Sequence, residues 1–315
     1  MKNKKFLNII KWVWLAVVLA AAGYYFFKHK EEVSNLISQI SFFRILLSLV
    51  LLLLGKSLIV LLTKFSVNAE GWYPSYWKTL GLYGITSLGK YIPGGIWHFV
   101  GRIGAYHANG LSGKKATRAL ILENVWLISS AVAVGLSLLC LFRFDLISGY
   151  IKLPNEPWIA GVLTVGILGL WILGLWLVNH FMNKHTENKI QKVWVIVPVS
   201  ILLWLLIGSS FFTMFTDFPL SQAGVFIGGY ALSWAVGYVA VFAPGGIGVR
   251  EAVLAFVFSN ITSVEMIAVY AAMNRIIWVV AEVLFGLVGF IQKQEMLPQN
   301  TNGGEEETSG QELIE

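Results

Sequence analysis

Two Pro-Gly-Gly-Ile sequences, at residues 93–96 and 244–247, interrupt long apolar segments of this chain. Proline removes a backbone donor and clashes with the preceding turn, and glycine is a weak helix former. A helix is therefore predicted to stop at each break, and a new one to start at about Ile96 and after Gly246. Broken backbone at membrane depth is tolerated only where protein or a water-filled cavity satisfies the freed groups. Two such breaks in corresponding halves of a membrane protein indicate an internal repeat with a binding site between them.

The composition is that of a membrane protein. Hydrophobic residues make up 57% of the chain and charged residues 13%, with a mean hydropathy of +0.70. A soluble domain needs more charge than this to cover its surface. The net charge of +6 is compatible with nucleic-acid binding. However, the basic residues fall in short loops between apolar segments, where they set topology, so we expect no nucleic-acid partner.

We predict an all-α polytopic membrane protein with about six full spans and two re-entrant Pro-Gly-Gly helical hairpins. The spans are predicted at residues 12–27, 42–63, 116–141, 158–181, 193–215 and 264–292. The first of these also fits a secretory signal peptide, but its aromatic end favours an uncleaved helix. The chain divides into a first membrane repeat (1–157), a second (158–292) and a disordered acidic tail (293–315).

The distribution of positive charge predicts the topology. With the amino terminus inside, two spans return residues 64–78 to the inside, and the basic loop after the first break also favours the inside. Both conditions hold only if residues 79–102 enter and leave on one face. Each half then has two spans, a hairpin and a third span in opposite orientations, which is an inverted repeat. The second hairpin, within residues 221–260, is longer, and its leading arm remains open to interpretation as a full span.

A helix that begins after Pro-Gly-Gly presents free backbone donors and a partial positive charge, which suits a phosphate group. The predicted phosphate ligands are the glycines of the breaks and three arginines: Gly94, Gly95, Gly245, Gly246, Arg102, Arg250 and Arg275. Four further charged residues are predicted to gate the site or to form ion pairs: Lys90, Glu123, Glu251 and Glu282. Arg250 stands at a helix start, where an anion or a carboxylate must offset its charge. Arg102 is predicted near the carboxyl end of its half-helix.

Structural explanations compete with these roles. Pro-Gly-Gly is often only a kink, and Arg102 is equally well explained as the first positive charge outside the membrane. Arg250 with Glu251, and Arg275 with Glu282, are candidates for ion pairs that hold the fold. Lys56 lies well inside an apolar span, a costly position unless it pairs or reaches water.

Signals for catalysis and cofactors are sparse. His98 and His107 lack a metal-ligand spacing, and Cys140 is the only cysteine, so we expect neither a metal site nor a disulfide. Common catalytic motifs are absent from the sequence, and we predict no catalytic residue and no cofactor.

The broken segments resemble the lysylphosphatidylglycerol synthase/flippase transmembrane family. The matching stretches are Gly-Lys-Tyr-Ile-Pro-Gly-Gly-Ile-Trp at 89–97 with Gly-Arg at 101–102, and Ala-Pro-Gly-Gly-Ile-Gly-Val-Arg-Glu-Ala at 243–252. Glu123 and the run Asn-Arg-Ile-Ile-Trp at 274–278 are similar to family positions too. The resemblance covers nearly all of the chain up to Gln292.

This resemblance implies a membrane domain that moves lipids between leaflets, in the best-known members an aminoacylated phosphatidylglycerol. Those members carry a cytoplasmic aminoacyl-transfer domain after the membrane part. Here a short acidic tail leaves no room for it, so lysyltransferase activity is not expected and the cargo stays open.

The sequence thus favours a translocase of the cytoplasmic membrane for an anionic or phosphate-bearing lipid, either a phospholipid or a polyprenyl-phosphate lipid. One rival is a membrane glycosyltransferase that uses a polyprenyl-phosphate-linked sugar. It requires an acidic residue on an external loop, and the candidates Asp145, Glu156 and Asp217 are isolated. A second rival is a non-transporting scaffold for envelope-lipid enzymes. The direction of transport, ion coupling and assembly into a homo-oligomer are left open.

Overall fold

The computed structural model describes residue 27 and residues 30–91, 96–240 and 243–292. These residues form helices and connecting turns without a strand. The α-helices, in chain order, are α1 Lys30–Gln39, α2 Phe42–Ala69, α3 Tyr76–Ser87, α4 Trp97–Ala108, α5 Gly113–Phe142, α6 Phe144–Ile151, α7 Pro157–Met182, α8 Val193–Phe212, α9 Ala223–Val239, α10 Val249–Val257 and α11 Val264–Ile291. Short 3-10 turns occupy Leu88–Tyr91, Leu220–Gln222 and Pro244–Gly246.

Five of the described helices are long and apolar enough to cross a membrane: α2, α5, α7, α8 and α11. The chain is therefore a multi-pass membrane protein whose described part is helical, and five of the predicted spans coincide with helices long and apolar enough to cross a membrane. The other predicted span, 12–27, lies outside the described residues except for Phe27, as do the tail from 293 onward and both Gly94 and Gly95. The predicted end of the second span at residue 63 was too early, because α2 continues to Ala69.

Serine side chains fix where several helices begin. Ser41, Ser75, Ser112 and Ser263 precede α2, α3, α5 and α11, and each hydroxyl accepts the N–H of the residue three positions on. Such caps satisfy a backbone donor that has no partner within the helix. Pro157 in the first turn of α7 has no N–H to satisfy.

Two sets of polar contacts define the two ends of the bundle. At one end, which we call the basic end, Arg118 of α5 donates to Glu70 (2.6 Å), and the Asn188 N–H donates to the carbonyl of Ala69 (2.9 Å). At the opposite end, Arg44 at the start of α2 donates to the carbonyl of Phe215 (2.8 Å). Helices α2 and α5 therefore run in opposite directions between these two ends.

Two helix pairs leave one end of the bundle and return to it. Trp72, just before α3, packs against Tyr106 near the end of α4, with ring centroids 5.9 Å apart. Phe226 at the start of α9 packs against Phe258 just after α10, at 4.7 Å. The pair α3–α4 is thus anchored at the basic end. The pair α9–α10 is anchored at the opposite end, where Arg143 at the end of α5 donates to the carbonyl of Val257 (3.0 Å).

Close glycine contacts join each pair to a long helix of the other half. A Cβ atom on Gly84 of α3 would lie 2.2 Å from the carbonyl oxygen of Phe285 in α11. Gly135 of α5 and Gly228 of α9 face each other, and a Cβ on either would lie 3.0 Å from the carbonyl oxygen of the other. Small residues let helix backbones approach closely in membranes, so α3 packs on α11 and α9 packs on α5.

Candidate functional site

The second break is a tight turn built on glycine. Helix α9 ends at Val239 and α10 begins at Val249, as the sequence predicts. Gly245, Gly246 and Gly248 have φ angles of +62°, +71° and +83°, which side chains with a Cβ rarely adopt. A Cβ on Gly246 would also lie 2.8 Å from the carbonyl oxygen of Gly237. The Pro-Gly-Gly sequence is therefore required by the backbone path at this point.

The turn that precedes the first break lies beside the second break. Helix α3 ends at Ser87 and passes into the turn Leu88–Tyr91, and α4 begins at Trp97 after Ile96, as predicted. Leu88–Tyr91 contacts the turn Pro244–Gly246. One helix pair comes from each end of the bundle, so the two breaks meet in its interior.

At the turn Leu88–Tyr91, two lysines share one carboxylate oxygen. Lys56 of α2 donates to Glu282 Oε1 of α11 at 2.8 Å, and Lys90 donates to the same oxygen. The indole N–H of Trp278 is a third donor to it, at 2.6 Å. The side chains of Lys56 and Glu282 are 0% and 2% exposed, whereas that of Lys90 is 27% exposed. The second oxygen, Glu282 Oε2, is buried and has no hydrogen-bond partner among the described residues.

Arg250 stands at the second break without a carboxylate partner. It makes no ion pair with the described residues, and its buried Nε has no hydrogen-bond acceptor there. Its guanidinium lies 5.7 Å from the ring centre of Trp234, and its aliphatic stem packs on Gly237. The aromatic face offsets only part of the charge. A cation in the first turn of a helix is also disfavoured by the helix dipole, so the position favours a bound anion.

Arg275 of α11 contacts the second break. It donates from Nε to Glu251 Oε1 at 2.8 Å, and from its terminal nitrogens to the carbonyls of Gly245 and Gly246, each at 3.2 Å. Glu251 Oε2 in turn accepts the N–H of Gly248 at 2.8 Å. Arg275 therefore closes the glycine turn. The predicted pairs Arg250–Glu251 and Arg275–Glu282 were wrong.

Backbone groups of Gly245 and Gly246 also have hydrogen-bond partners within the protein. The Gly246 N–H donates to the carbonyl of Ala243 at 2.8 Å, so that amide is not free for phosphate. The carbonyls of Gly245 and Gly246 are both acceptors for Arg275.

Arg102 is likewise part of a buried network. It lies in the middle of α4 rather than near its carboxyl end, because α4 continues to Ala108. It is only 5% exposed and donates to Glu123 of α5. The alternative explanation, that Arg102 is simply the first positive charge outside the membrane, is therefore excluded. Its other nitrogens donate to the hydroxyls of Thr86 (3.3 Å) and Ser87 (3.2 Å). The predicted pairing role of Glu123 is consistent with this geometry.

One buried polar residue of α11 was not among the predicted site residues. The amide oxygen of Asn274 accepts the hydroxyl of Tyr230 at 2.7 Å, which leaves Asn274 Nδ2 buried and without a partner among the described residues. An amide in a membrane span is the signal that pointed to it, but only the fold shows that one of its donors is unused.

The described residues contain no group of three or more His, Cys, Asp or Glu side chains arranged to hold a metal ion. Comparison of the sequence with protein-family models and with curated proteins finds no match.

Proposed function

We propose that this protein is a lipid translocase that moves an anionic, phosphate-bearing lipid between the leaflets of the cytoplasmic membrane, with its amino terminus inside. The observation that carries the proposal is Arg250, which has no carboxylate partner among the described residues and lies at the start of α10 where the two broken segments meet. Buried or half-buried charges in membrane proteins are paired or line a pathway. An anionic headgroup is the missing partner that this position favours.

The packing supports two inverted halves. The pairs α3–α4 and α9–α10 start from opposite ends of the bundle, and each packs through glycine on the last long helix of the other half. Exchange of the two halves leaves this pattern unchanged, as expected for inverted repeats around a central site. In a membrane each pair would enter and leave on one face, which makes both of them re-entrant hairpins. The basic end, with Arg118 and Lys115, would face the cytoplasm.

The sequence resemblance to the lysylphosphatidylglycerol synthase/flippase transmembrane family supports the same proposal. The residues that carry it, at 89–97, 243–252 and 274–278, include the two turns and Trp278, which contacts Glu282. In this proposal Arg250 holds the phosphate. Lys90 leaves the carboxylate of Glu282 and pairs with the headgroup instead. Arg275 and Glu251 keep the second turn closed.

Leaflet exchange in proteoliposomes tests the proposal. The purified chain is reconstituted with fluorescent, acyl-labelled phosphatidylglycerol or phosphatidic acid, and dithionite is used to bleach the outer leaflet. We expect the protein to expose inner-leaflet label of at least one of the two lipids. Arg250→Gln should slow this exchange about tenfold or more, because a charge-assisted hydrogen bond contributes about 1.5–3 kcal/mol.

Lys189→Gln, at an exposed basic residue, is the matched control and should exchange lipid at the wild-type rate. Elution on size exclusion verifies that each variant is folded. The proposal is rejected if neither lipid moves faster than in protein-free liposomes, or if folded Arg250→Gln retains the full rate.

A further inference from the structure

The balance of charge at the meeting point of the two breaks specifies more than an anion. In the buried pair Arg102–Glu123, one cation is balanced by one carboxylate. At the second turn, Arg275 and Glu251 also neutralise each other. Around Glu282 the balance differs, because Lys56 and Lys90 share this one carboxylate. One positive charge is therefore left over there.

Arg250 supplies a second uncompensated charge. It forms no ion pair with a carboxylate among the described residues. Lys90 lies in the turn Leu88–Tyr91, and Arg250 follows the turn Pro244–Gly246 in the chain. These two turns are in contact. Lys90 and Arg250 are both partly exposed, whereas Lys56 and Glu282 lie buried behind Lys90. The two unbalanced charges thus lie on neighbouring segments, and both side chains are partly exposed.

We propose that the headgroup bound between Lys90 and Arg250 carries two negative charges, as a phosphomonoester or a diphosphate does, and not the single charge of a phosphodiester. This inference rests on the proposed function and names the substrate class of the same site. A dianion neutralises both cations, whereas a monoanion leaves one of them unpaired in a medium of low dielectric constant.

Equilibrium binding to the full-length chain in detergent micelles tests the inference. Three probes are titrated at pH 8, where a phosphomonoester, with its second pKa near 6, is dianionic. They are didecanoyl phosphatidic acid and farnesyl phosphate, which are phosphomonoesters from two lipid classes, and didecanoyl phosphatidylglycerol, which is a phosphodiester. We expect at least one phosphomonoester to bind about tenfold or more tightly than the phosphodiester, since one additional charge-assisted contact contributes at least that factor.

Variants show whether this preference arises at the predicted residues. Lys90→Gln and Arg250→Gln should each reduce the preference to within about threefold, as expected when one of the two charge-assisted contacts is lost. Lys189→Gln should keep it. Removal of Lys90 relieves the sharing of Glu282, so this variant is expected to fold. If both phosphomonoesters bind, the headgroup alone is recognised. If only one binds, the result identifies an isoprenoid or a glycerolipid source, and the inference holds in each case.

Three results overturn the inference, and they differ in what they imply for transport. Equal affinity for the phosphodiester, lost in Arg250→Gln, rejects a dianionic headgroup but leaves the proposed translocase intact. No binding of any of the three lipids rejects both. A preference for phosphomonoesters that survives in Lys90→Gln and in Arg250→Gln also rejects the inference, because the charge balance described above then plays no part in recognition.

Discussion

Lys56 and Glu282 are 226 positions apart in the sequence, yet Lys56 Nζ lies 2.8 Å from Glu282 Oε1 in the interior of the protein. The contact ties α2 to α11. Because Glu282 also accepts from Lys90, this one carboxylate is in contact with two cations. Removal of this one carboxylate would therefore leave a fully buried ammonium group without a counter-charge.

We predict that Glu282→Gln lowers the free energy of unfolding by about 3–5 kcal/mol, the typical cost of breaking a buried ion pair from one side. Unfolding in mixed micelles by increasing denaturing detergent measures the loss. Glu156→Gln, at an exposed residue, is the matched control. Lys56→Met in the Glu282→Gln background should restore most of the stability, since the buried charge is then gone. A single variant as stable as the control would contradict the prediction.

The pair Arg102–Glu123 predicts strong coupling in a double-mutant cycle. Arg102→Met and Glu123→Met should each destabilise the protein, because each leaves one buried charge alone. The double variant should lose less than the sum, with a coupling free energy of about 2–3 kcal/mol. Its phosphomonoester binding should match the wild type, as expected if Arg102 is structural. Additive losses would contradict the coupling of this pair, whereas loss of binding in a folded double variant would show that Arg102 contacts the ligand.

The sequence was sufficient to predict the helix breaks and five of the spans, because both depend on local chemistry. A proline followed by two glycines strongly disfavours a helix, and a stretch of about twenty apolar residues has the length of a bilayer core. The position of Arg102 was mispredicted for a related reason. Its charge was read as the end of a helix, whereas the structure buries that charge against Glu123 in the middle of α4.

The ion-pair partners could not be predicted from the sequence, although two of the errors were avoidable. Neighbours in a helix do not face each other, which disfavours a pair between Arg250 and Glu251. Arg275 and Glu282 are seven residues apart, about 10 Å along a helix, which is long for a direct contact. The true partners depend on how distant helices are rotated and packed. Lys56 finds Glu282 only because α2 and α11 meet, and no local pattern records that.

Glycine at the crossing of α3 and α11 predicts a steric effect. A Cβ on Gly84 would lie 2.2 Å from a backbone oxygen of Phe285, and backbone cannot rotate away. Gly84→Ala should therefore lower the free energy of unfolding by about 1–3 kcal/mol or more. Gly166→Ala in α7 is the control, since nothing lies within 4 Å of a Cβ there. That change should be neutral or stabilising by up to about 1 kcal/mol. Equal effects of the two substitutions would contradict the close crossing.

Gly245 and Gly246 should differ when each is replaced by alanine, although both have positive φ. At Gly245 nothing lies within 4 Å of an added Cβ, so the cost is the left-handed backbone alone, about 1–2 kcal/mol. At Gly246 the added Cβ would also meet the carbonyl of Gly237 at 2.8 Å, which pushes α10 away from α9 and moves Arg250 with it.

Phosphomonoester binding should therefore fall about tenfold or more in Gly246→Ala, the loss expected when Arg250 no longer reaches the phosphate. In Gly245→Ala it should stay within about threefold, because Arg250 keeps its place. The same titrations at pH 8 measure both. If the two variants bind equally well, the position of α10 does not determine where Arg250 meets the headgroup.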